Sequence, residues 1–171
     1  MPDLDYLFEL GPELEIRLDD FSDANRILKL EIPLRAAFSS DLTDVTARGL
    51  VFAPELELEQ KSFRGTPFQV DVSVAAIFGT ERFLDYFYEV APAFARSDRP
   101  AFDAGGGYLG AQFGIGVRRA RGPVQIFFGG NLTSHHGAAN ADSPLFESEL
   151  SFGLYAAVVR FFWAGKRLAP R

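Results

Sequence analysis

The side chains best suited to covalent chemistry lie in the last third of the chain. Ser134, His135 and His136 stand side by side. With Asp142 and Ser143 they supply the residue types of a hydrolytic triad. Adjacent residues of an extended segment point to opposite sides, so the two histidines are badly placed for one metal ion or one proton relay. We therefore interpret residues 134–147 as a polar outer loop.

Carboxylates at alternate positions are a second candidate site. Glu55, Glu57 and Glu59 share one face of an extended run, and paired carboxylates can do acid–base work or bind a cation. Cationic side chains on the same face offer ion pairs instead, so we favour a polar, salt-bridged interior. The other acidic positions are Glu13, Glu15, Glu31 and Asp71, and the cationic ones are Arg17, Lys29, Arg35 and Arg118.

The glycine run Gly105, Gly106 and Gly107 is not a phosphate-binding loop. No Lys-Ser/Thr pair follows it, and it opens a predicted strand where such a loop opens a helix. Further glycines on the polar face of that strand permit strong curvature or close packing of a neighbour. These further glycines are Gly110, Gly114 and Gly116.

We predict no catalytic residue, no metal site, no cofactor and no enzymatic activity.

Composition and length exclude several kinds of site and several classes of protein. The 171 residues suit a single domain, 1–171, in which residues 164–171 form a C-terminal extension. The absence of Cys rules out disulfides and thiolate metal sites. A net charge of -6 without a basic tail argues against nucleic acid as a partner. No apolar run approaches the roughly 18–20 residues that a membrane helix needs.

Alternation of apolar and polar residues is the main structural signal. Most alternating runs are long, and about ten residues tilted by about 40° cover roughly 25 Å, the height of an outer-membrane apolar band. The pattern predicts an all-β, antiparallel up-and-down transmembrane β-barrel with about seven or eight long strands. The runs span residues 13–19, 28–38, 50–59, 68–78, 108–118, 124–133 and 149–163.

The last run carries two registers. Leu150, Phe152 and Leu154 follow one alternation, whereas Val159 and the later aromatics follow the other. A β-bulge near residues 156–157 would reconcile them, and we predict one there.

The connections alternate in length. Residues 20–25, 60–66 and 120–123 are short, whereas 79–102 and 134–147 are long. Short turns on the periplasmic side and long loops outside are the usual asymmetry of such barrels. Seven strands is an odd number and the N-terminus has no signal-peptide pattern, so we expect the C-terminal part of a larger barrel. Alternatively, residues 2–9 add an eighth short strand and close a small barrel.

Three motifs in order carry a family resemblance. They are Tyr86-Phe87-Tyr88-Glu89-Val90 with Pro92, residues 100–108 with Asp103 and Gly105-Gly106-Gly107-Tyr108, and residues 141–144 with Asp142-Ser143-Pro144. Segments 7–12, 34–38 and 51–54 add weaker matches. The chain resembles the MipA/OmpV family (MltA-interacting protein family) of outer-membrane β-barrel proteins.

The chain departs from the family pattern at three places. Glu89 stands where the family often has Gly, and Ala91 stands where a capping Ser is common, so a short helix starting at Pro92 would lack a cap. Residues 164–171 continue past the last aromatic, Trp163, where such barrels normally end. The aromatic cluster at residues 86–88 has two interpretations: a recognition cluster, or part of an aromatic girdle or rim plug.

The resemblance implies a non-enzymatic structural protein of the Gram-negative outer membrane. Its partners would be outer-membrane lipid and, as scaffolded enzymes, a lytic transglycosylase and a murein (peptidoglycan) synthase. No contact residue for these enzymes carries over. The alternative from the residues alone is a soluble, lipocalin-like barrel that binds a small apolar ligand, because alternation by itself does not say which face is inside.

Overall fold

The computed structural model describes residues 5–19 and 25–162. These residues form one antiparallel sheet of nine strands and one α-helix, with 3-10 turns at Phe63–Gly65 and Pro92–Phe94. No helix of the described residues is long and apolar enough to span a membrane. The strands are β1 (Tyr6–Leu10), β2 (Glu13–Asp19), β3 (Arg26–Ser40), β4 (Val45–Phe52), β5 (Glu55–Gln60), β6 (Phe68–Gly79), β7 (Gly107–Arg121), β8 (Val124–Ser134) and β9 (Leu150–Arg160), and the helix is α1 (Glu81–Tyr88).

The nine strands amount to seven long ones. β1 and β2 follow each other along one side of β3, and β4 and β5 follow each other along its other side. The breaks fall at Pro12 and Pro54, because proline has no N–H to donate to a ladder. Their carbonyls still accept bonds from Leu34 N at 3.0 Å and Ala76 N at 3.1 Å. The predicted all-β antiparallel meander is confirmed.

The predicted eighth strand takes a different place. β1 does form, but it pairs with β3 and so extends the first long strand where a separate strand was expected. The hydrogen-bonded order runs from β1/β2 through β3, β4/β5, β6, β7 and β8 to β9. The part of the small-barrel alternative that makes residues 2–9 a separate eighth strand is therefore wrong for the described residues of that segment, which extend the first long strand.

Every long strand has an apolar and a polar face. We call the face that carries Lys29, Glu57 and Asp71 the inner face, since these three charged side chains are only partly exposed. The opposite, outer face exposes large apolar side chains, such as Phe128 at 61% and Leu154 at 83%. The apolar face of the predicted alternation is thus the outer one.

Glycines on the inner face leave room for side chains of adjacent strands. A Cβ on Gly114 would lie 2.6 Å from Ser73 Oγ, and a Cβ on Gly116 would overlap the Asp71 carboxylate. A Cβ on Gly110 would lie 2.6 Å from the Ser134 carbonyl oxygen. The interpretation of these three glycines as close-packing positions is confirmed.

The predicted bulge at residues 156–157 is wrong. The β8–β9 register runs without a shift from Val124 opposite Arg160 to Ser134 opposite Leu150. Val159 therefore lies on the inner face, where it is 40% exposed. An apolar side chain is tolerated there because β9 is the last strand of the order and has a neighbour on one side only.

A bulge does occur between β6 and β7. Ile77 pairs with Gly110, but Phe78 pairs with Tyr108, so Leu109 is the extra residue. Tyr108 consequently joins Phe78 on the outer face, with ring centroids 5.7 Å apart. This reverses the faces that alternation predicts for Tyr108 and Leu109.

The connections fall at two ends of the sheet. Residues 61–67 and 122–123 connect strands at what we call the turn end, and residues 41–44, 80–106 and 135–149 connect them at the loop end. Residues 20–24 of the predicted turn and all of the predicted extension at 164–171 lie outside the described residues.

Candidate functional site

A helix and two loops cover the inner face at the loop end. Phe83 and Leu84 of α1 pack on Ala37 of β3 and Val51 of β4, and all four are buried. We call α1 with residues 89–106 and 135–149 the cap. The inner-face side chains that contact α1, such as Ala37 and Val51, are small and apolar, whereas the side chains farther along that face are charged. The apolar side of the helix therefore packs at this end of the sheet.

Local sequence explains why α1 forms. Thr80 stands at the N-cap position and Glu81 in the first turn, where a carboxylate interacts favourably with the helix dipole. Phe83, Leu84 and Phe87 recur at helical spacing on the side that meets the sheet. Sequence analysis missed this helix, although the spacing was available in the segment 80–88.

Tyr86 ties the helix to β4 and to the residue that precedes β1. The Arg48 guanidinium carbon lies 4.0 Å from the centre of the Tyr86 ring, a cation–π contact. The Tyr86 hydroxyl accepts a hydrogen bond from Asp5 N at 2.9 Å. Arg48 also donates from Nε to Ser39 Oγ at 2.7 Å and lies 3.6 Å from the Asp5 carboxylate. These polar contacts add to the apolar contacts of Phe83 and Leu84 and fix the orientation of α1 on the sheet.

The rest of the aromatic cluster packs within the cap. The Phe87 ring lies 5.2 Å from Phe83, and the Tyr88 ring lies 6.3 Å from Phe146 in the second loop. Burial raises the pKa of the Tyr88 hydroxyl above its usual value. These contacts favour the rim-plug interpretation of residues 86–88 over the lipid-facing girdle.

The three family motifs meet in the cap. Gly105 exchanges two hydrogen bonds with the Asn140 side chain, at 3.0 and 2.9 Å, which joins the first loop to the second. Ser143 Oγ donates to the Tyr88 carbonyl at 2.7 Å. Gly106 approaches the start of α1 so closely that a Cβ there would lie 2.6 Å from Glu81 N. Asn140 was not among the predicted motif residues, and nothing in its sequence neighbourhood marks this role.

The remaining motif residues lie around this junction. Pro92 begins a 3-10 turn for which Ala91 provides no side-chain cap, as expected. Gly107 and Tyr108 open β7, and Pro144 follows the buried Ser143. Asp103 and Asp142 are exposed.

The structure does not assemble a hydrolytic triad from residues 134–143. His135 donates from Nδ1 to the Leu109 carbonyl at 2.8 Å, which leaves Nε2 to accept from Ser151 Oγ at 3.2 Å. Ser143 is engaged with the Tyr88 carbonyl. These bonds anchor the second loop to β7 and β9.

The inner face below the cap is a network of ion pairs centred on Lys29. Its ammonium lies 2.9 Å from Glu57, 3.5 Å from Glu59 and 3.7 Å from Glu31. A fourth carboxylate, Glu15 of β2, lies 3.9 Å away. One cation therefore holds carboxylates from three neighbouring long strands, which agrees with the predicted salt-bridged interior.

Two further features complete the inner face. Arg35 bridges Glu9 at 3.8 Å and Glu13 at 3.7 Å. A cavity of about 290 Å³ beside Lys29 is lined by Asp71, Arg118 and Tyr155, among others. The site is polar, mixed in charge and open to water, and it holds no arrangement of nucleophile, base and oxyanion donor among the described residues.

Comparison with known families decides the relationship. A family model described as MltA-interacting protein MipA matches residues 1–162. The chain belongs to the MipA family. Searches of the curated proteins and of the solved structures give no match. In this MipA-family chain the motifs that carry the resemblance are the ones that build the cap.

We predict that Gly106→Ala loosens the cap. The new methyl group would collide with the backbone of Glu81, so we expect a loss of about 1–2 kcal/mol and faster amide exchange in α1. Hydrogen exchange by mass spectrometry on the refolded protein measures this. Gly105→Ala is the matched control, because a Cβ there meets nothing within 4 Å. Equal effects of the two substitutions would contradict the packing role of Gly106.

We also predict that Lys29→Met destabilises the sheet by about 2 kcal/mol, because its carboxylate partners lose their shared cation. Urea unfolding in detergent micelles gives the change. Arg35→Met is the control: its side chain is 43% exposed against 14% for Lys29, and its ion pairs are longer. We expect a change below about 1 kcal/mol there. A larger loss from Arg35→Met than from Lys29→Met would refute the central place of Lys29.

Proposed function

We propose that this MipA-family chain forms part of a transmembrane β-barrel in the outer membrane and has a structural role without catalysis. The observation that carries the proposal is the outer face. It presents large apolar side chains to the surroundings on every long strand, whereas the cluster of ion pairs around Lys29 lies on the inner face. A water-soluble protein would bury such a surface.

The dimensions of the outer face suit a membrane. From Phe68 to Phe78 on β6 there are about ten residues, which cover roughly 25 Å when a strand tilts by about 40°. An aromatic row ends the band toward the loops: Phe8 stacks on Phe38 at 5.5 Å, and Phe78 contacts Phe52 at 6.1 Å. Aromatic girdles at the interface are typical of outer-membrane barrels.

The same arrangement counts against the soluble, lipocalin-like alternative. A lipocalin-like barrel encloses its apolar face and exposes its charged one. Here Lys29, Glu57 and Glu59 are mostly shielded from solvent, whereas Phe113 of the apolar face is 54% exposed.

We further propose that the turn end faces the periplasm, since short turns lie there in outer-membrane barrels. A scaffold for a lytic transglycosylase and a murein synthase, as the family resemblance implies, would then use the turn end, because murein lies in the periplasm. The cap, at the loop end, would face outward and take no part in that contact.

The membrane assignment predicts opposite responses on the two faces. Val74→Arg places a cation near the middle of the outer face and should reduce stability in vesicles by about 3 kcal/mol. Ser73→Arg, one residue away on the inner face beside Glu57, should be nearly neutral. Urea titration of protein folded into phosphatidylcholine vesicles, with the heat-dependent gel shift as the readout, measures both. Equal tolerance of the two arginines would refute a lipid-facing outer face.

The scaffold assignment predicts a footprint. A lytic transglycosylase added to the reconstituted protein should slow amide exchange at residues 61–67 and 122–124 of the turn end. Residues 135–149 of the cap serve as the internal control and should exchange as before. Protection confined to the cap would reverse the proposed orientation or remove the scaffold role.

A further inference from the structure

Two glycines of the inner face make room for the cavity beside Lys29. Gly116 of β7 and Gly129 of β8 pair with each other. A Cβ on Gly129 would lie 2.5 Å from the Tyr155 hydroxyl oxygen, and a Cβ on Gly116 would overlap the Asp71 carboxylate. Tyr155 of β9 and Asp71 of β6 therefore reach over the glycines from opposite sides, and both line the cavity.

The two side chains that meet over the glycines keep polar atoms available. Among the described residues, the Asp71 carboxylate has no hydrogen bond and no ion pair within 4 Å, and the Tyr155 hydroxyl has no hydrogen bond. Asp71 is only partly exposed. A partly buried carboxylate without a partner in the protein takes its hydrogen bonds from water or from a ligand.

The other charged groups of the cavity are already engaged with protein partners. Lys29 lies 2.9 Å from Glu57 and 3.5 Å from Glu59, and Arg118 donates to the side-chain oxygen of Gln69. With the carboxylate of β6, the lining holds two cations against three carboxylates. An ionic ligand of either sign would meet a like charge on the wall, which disfavours it. A neutral ligand whose groups both donate and accept hydrogen bonds suits this lining best.

Two aromatic rings give the cavity an apolar surface. Phe127 stands opposite Arg118 on the inner face, with the guanidinium carbon 6.0 Å from its ring centre, and Tyr155 supplies the second ring. Carboxylates, an amide and a guanidinium beside aromatic rings are groups that recognise a sugar. The sugar hydroxyls bond to the polar groups, and the C–H face of the sugar ring packs on the aromatic faces.

We propose that this cavity is a binding site for a neutral saccharide of one or two rings. The Asp71 carboxylate would accept hydrogen bonds from adjacent sugar hydroxyls, and the Tyr155 hydroxyl would bond to a third. The volume of about 290 Å³ is at the lower end for small-ligand pockets, which suits one or two sugar rings. The site lies on the inner face, so it adds a binding role to the structural role proposed above and does not depend on what covers the outer face.

The test measures sugar binding to the full chain refolded in an amine-oxide detergent, which carries no sugar headgroup. Glucose, N-acetylglucosamine, cellobiose and maltose are titrated separately, with saturation-transfer NMR as the readout, and at least one of them should bind saturably. Asp71→Asn should weaken that binding by about tenfold or more, because the charged acceptor is lost. Tyr155→Leu, which removes a ring and a hydroxyl, should weaken it by about fivefold.

A matched variant and a competing ligand complete the design. Glu13→Gln removes one inner-face carboxylate outside the cavity and should leave sugar binding unchanged. The heat-dependent gel shift of each variant reports its folding, and Tyr155→Leu decides if Asp71→Asn does not fold. Absence of saturable binding for all four sugars, an equal loss from Glu13→Gln, or tighter binding of butylammonium than of any sugar would each overturn the site. A retained gel shift in those cases leaves the proposed barrel standing.

Discussion

The two-residue period of the strand divides this protein into surfaces with opposite requirements. In a strand, shifting the register by one residue moves every side chain to the other face. Here such a shift would bring Lys29 and its carboxylates to the apolar side and drive large apolar residues inward. The pairing of each long strand is therefore strongly specified by its own alternation, and both the ion-pair network of the inner face and the cap depend on that register.

The inner face solves a packing problem that the register creates. Charged side chains from neighbouring strands are too large to lie side by side in a curved sheet, and glycine at alternate positions gives them space. Gly114 and Gly116 on β7 accommodate Ser73 and Asp71 of β6. The charge is compensated in the same region, since Lys29 lies within 4 Å of carboxylates from three neighbouring long strands. The space left by the glycines and the ion pairs of Lys29 together allow one face of the sheet to be polar while the opposite face is apolar.

The sequence predicts the features that repeat along every strand, whereas the features that occur only once were missed. The long strands, the polar face with its ion pairs and the roles of Gly110, Gly114 and Gly116 follow from alternation and residue type. Helix α1 escaped notice because eight residues within a long connection give a weak period. The bulge at Leu109 and the bond between Gly105 and Asn140 join residues whose pairing depends on tertiary geometry. No local pattern encodes such a pairing.

Prolines in three adjacent strands lie at one level across the sheet. Pro12 and Pro54 interrupt the two neighbours of β3, and Pro33 lies within β3 opposite Glu13. Each proline removes one N–H from the ladder, so bending is easier along this line than above or below it. The line of prolines therefore divides the first three long strands into two stiffer segments. One segment carries the ion pairs, and the other carries the cap. Motion of the cap relative to the segment with the ion pairs would then be a hinge about the line of prolines, with no change in strand order.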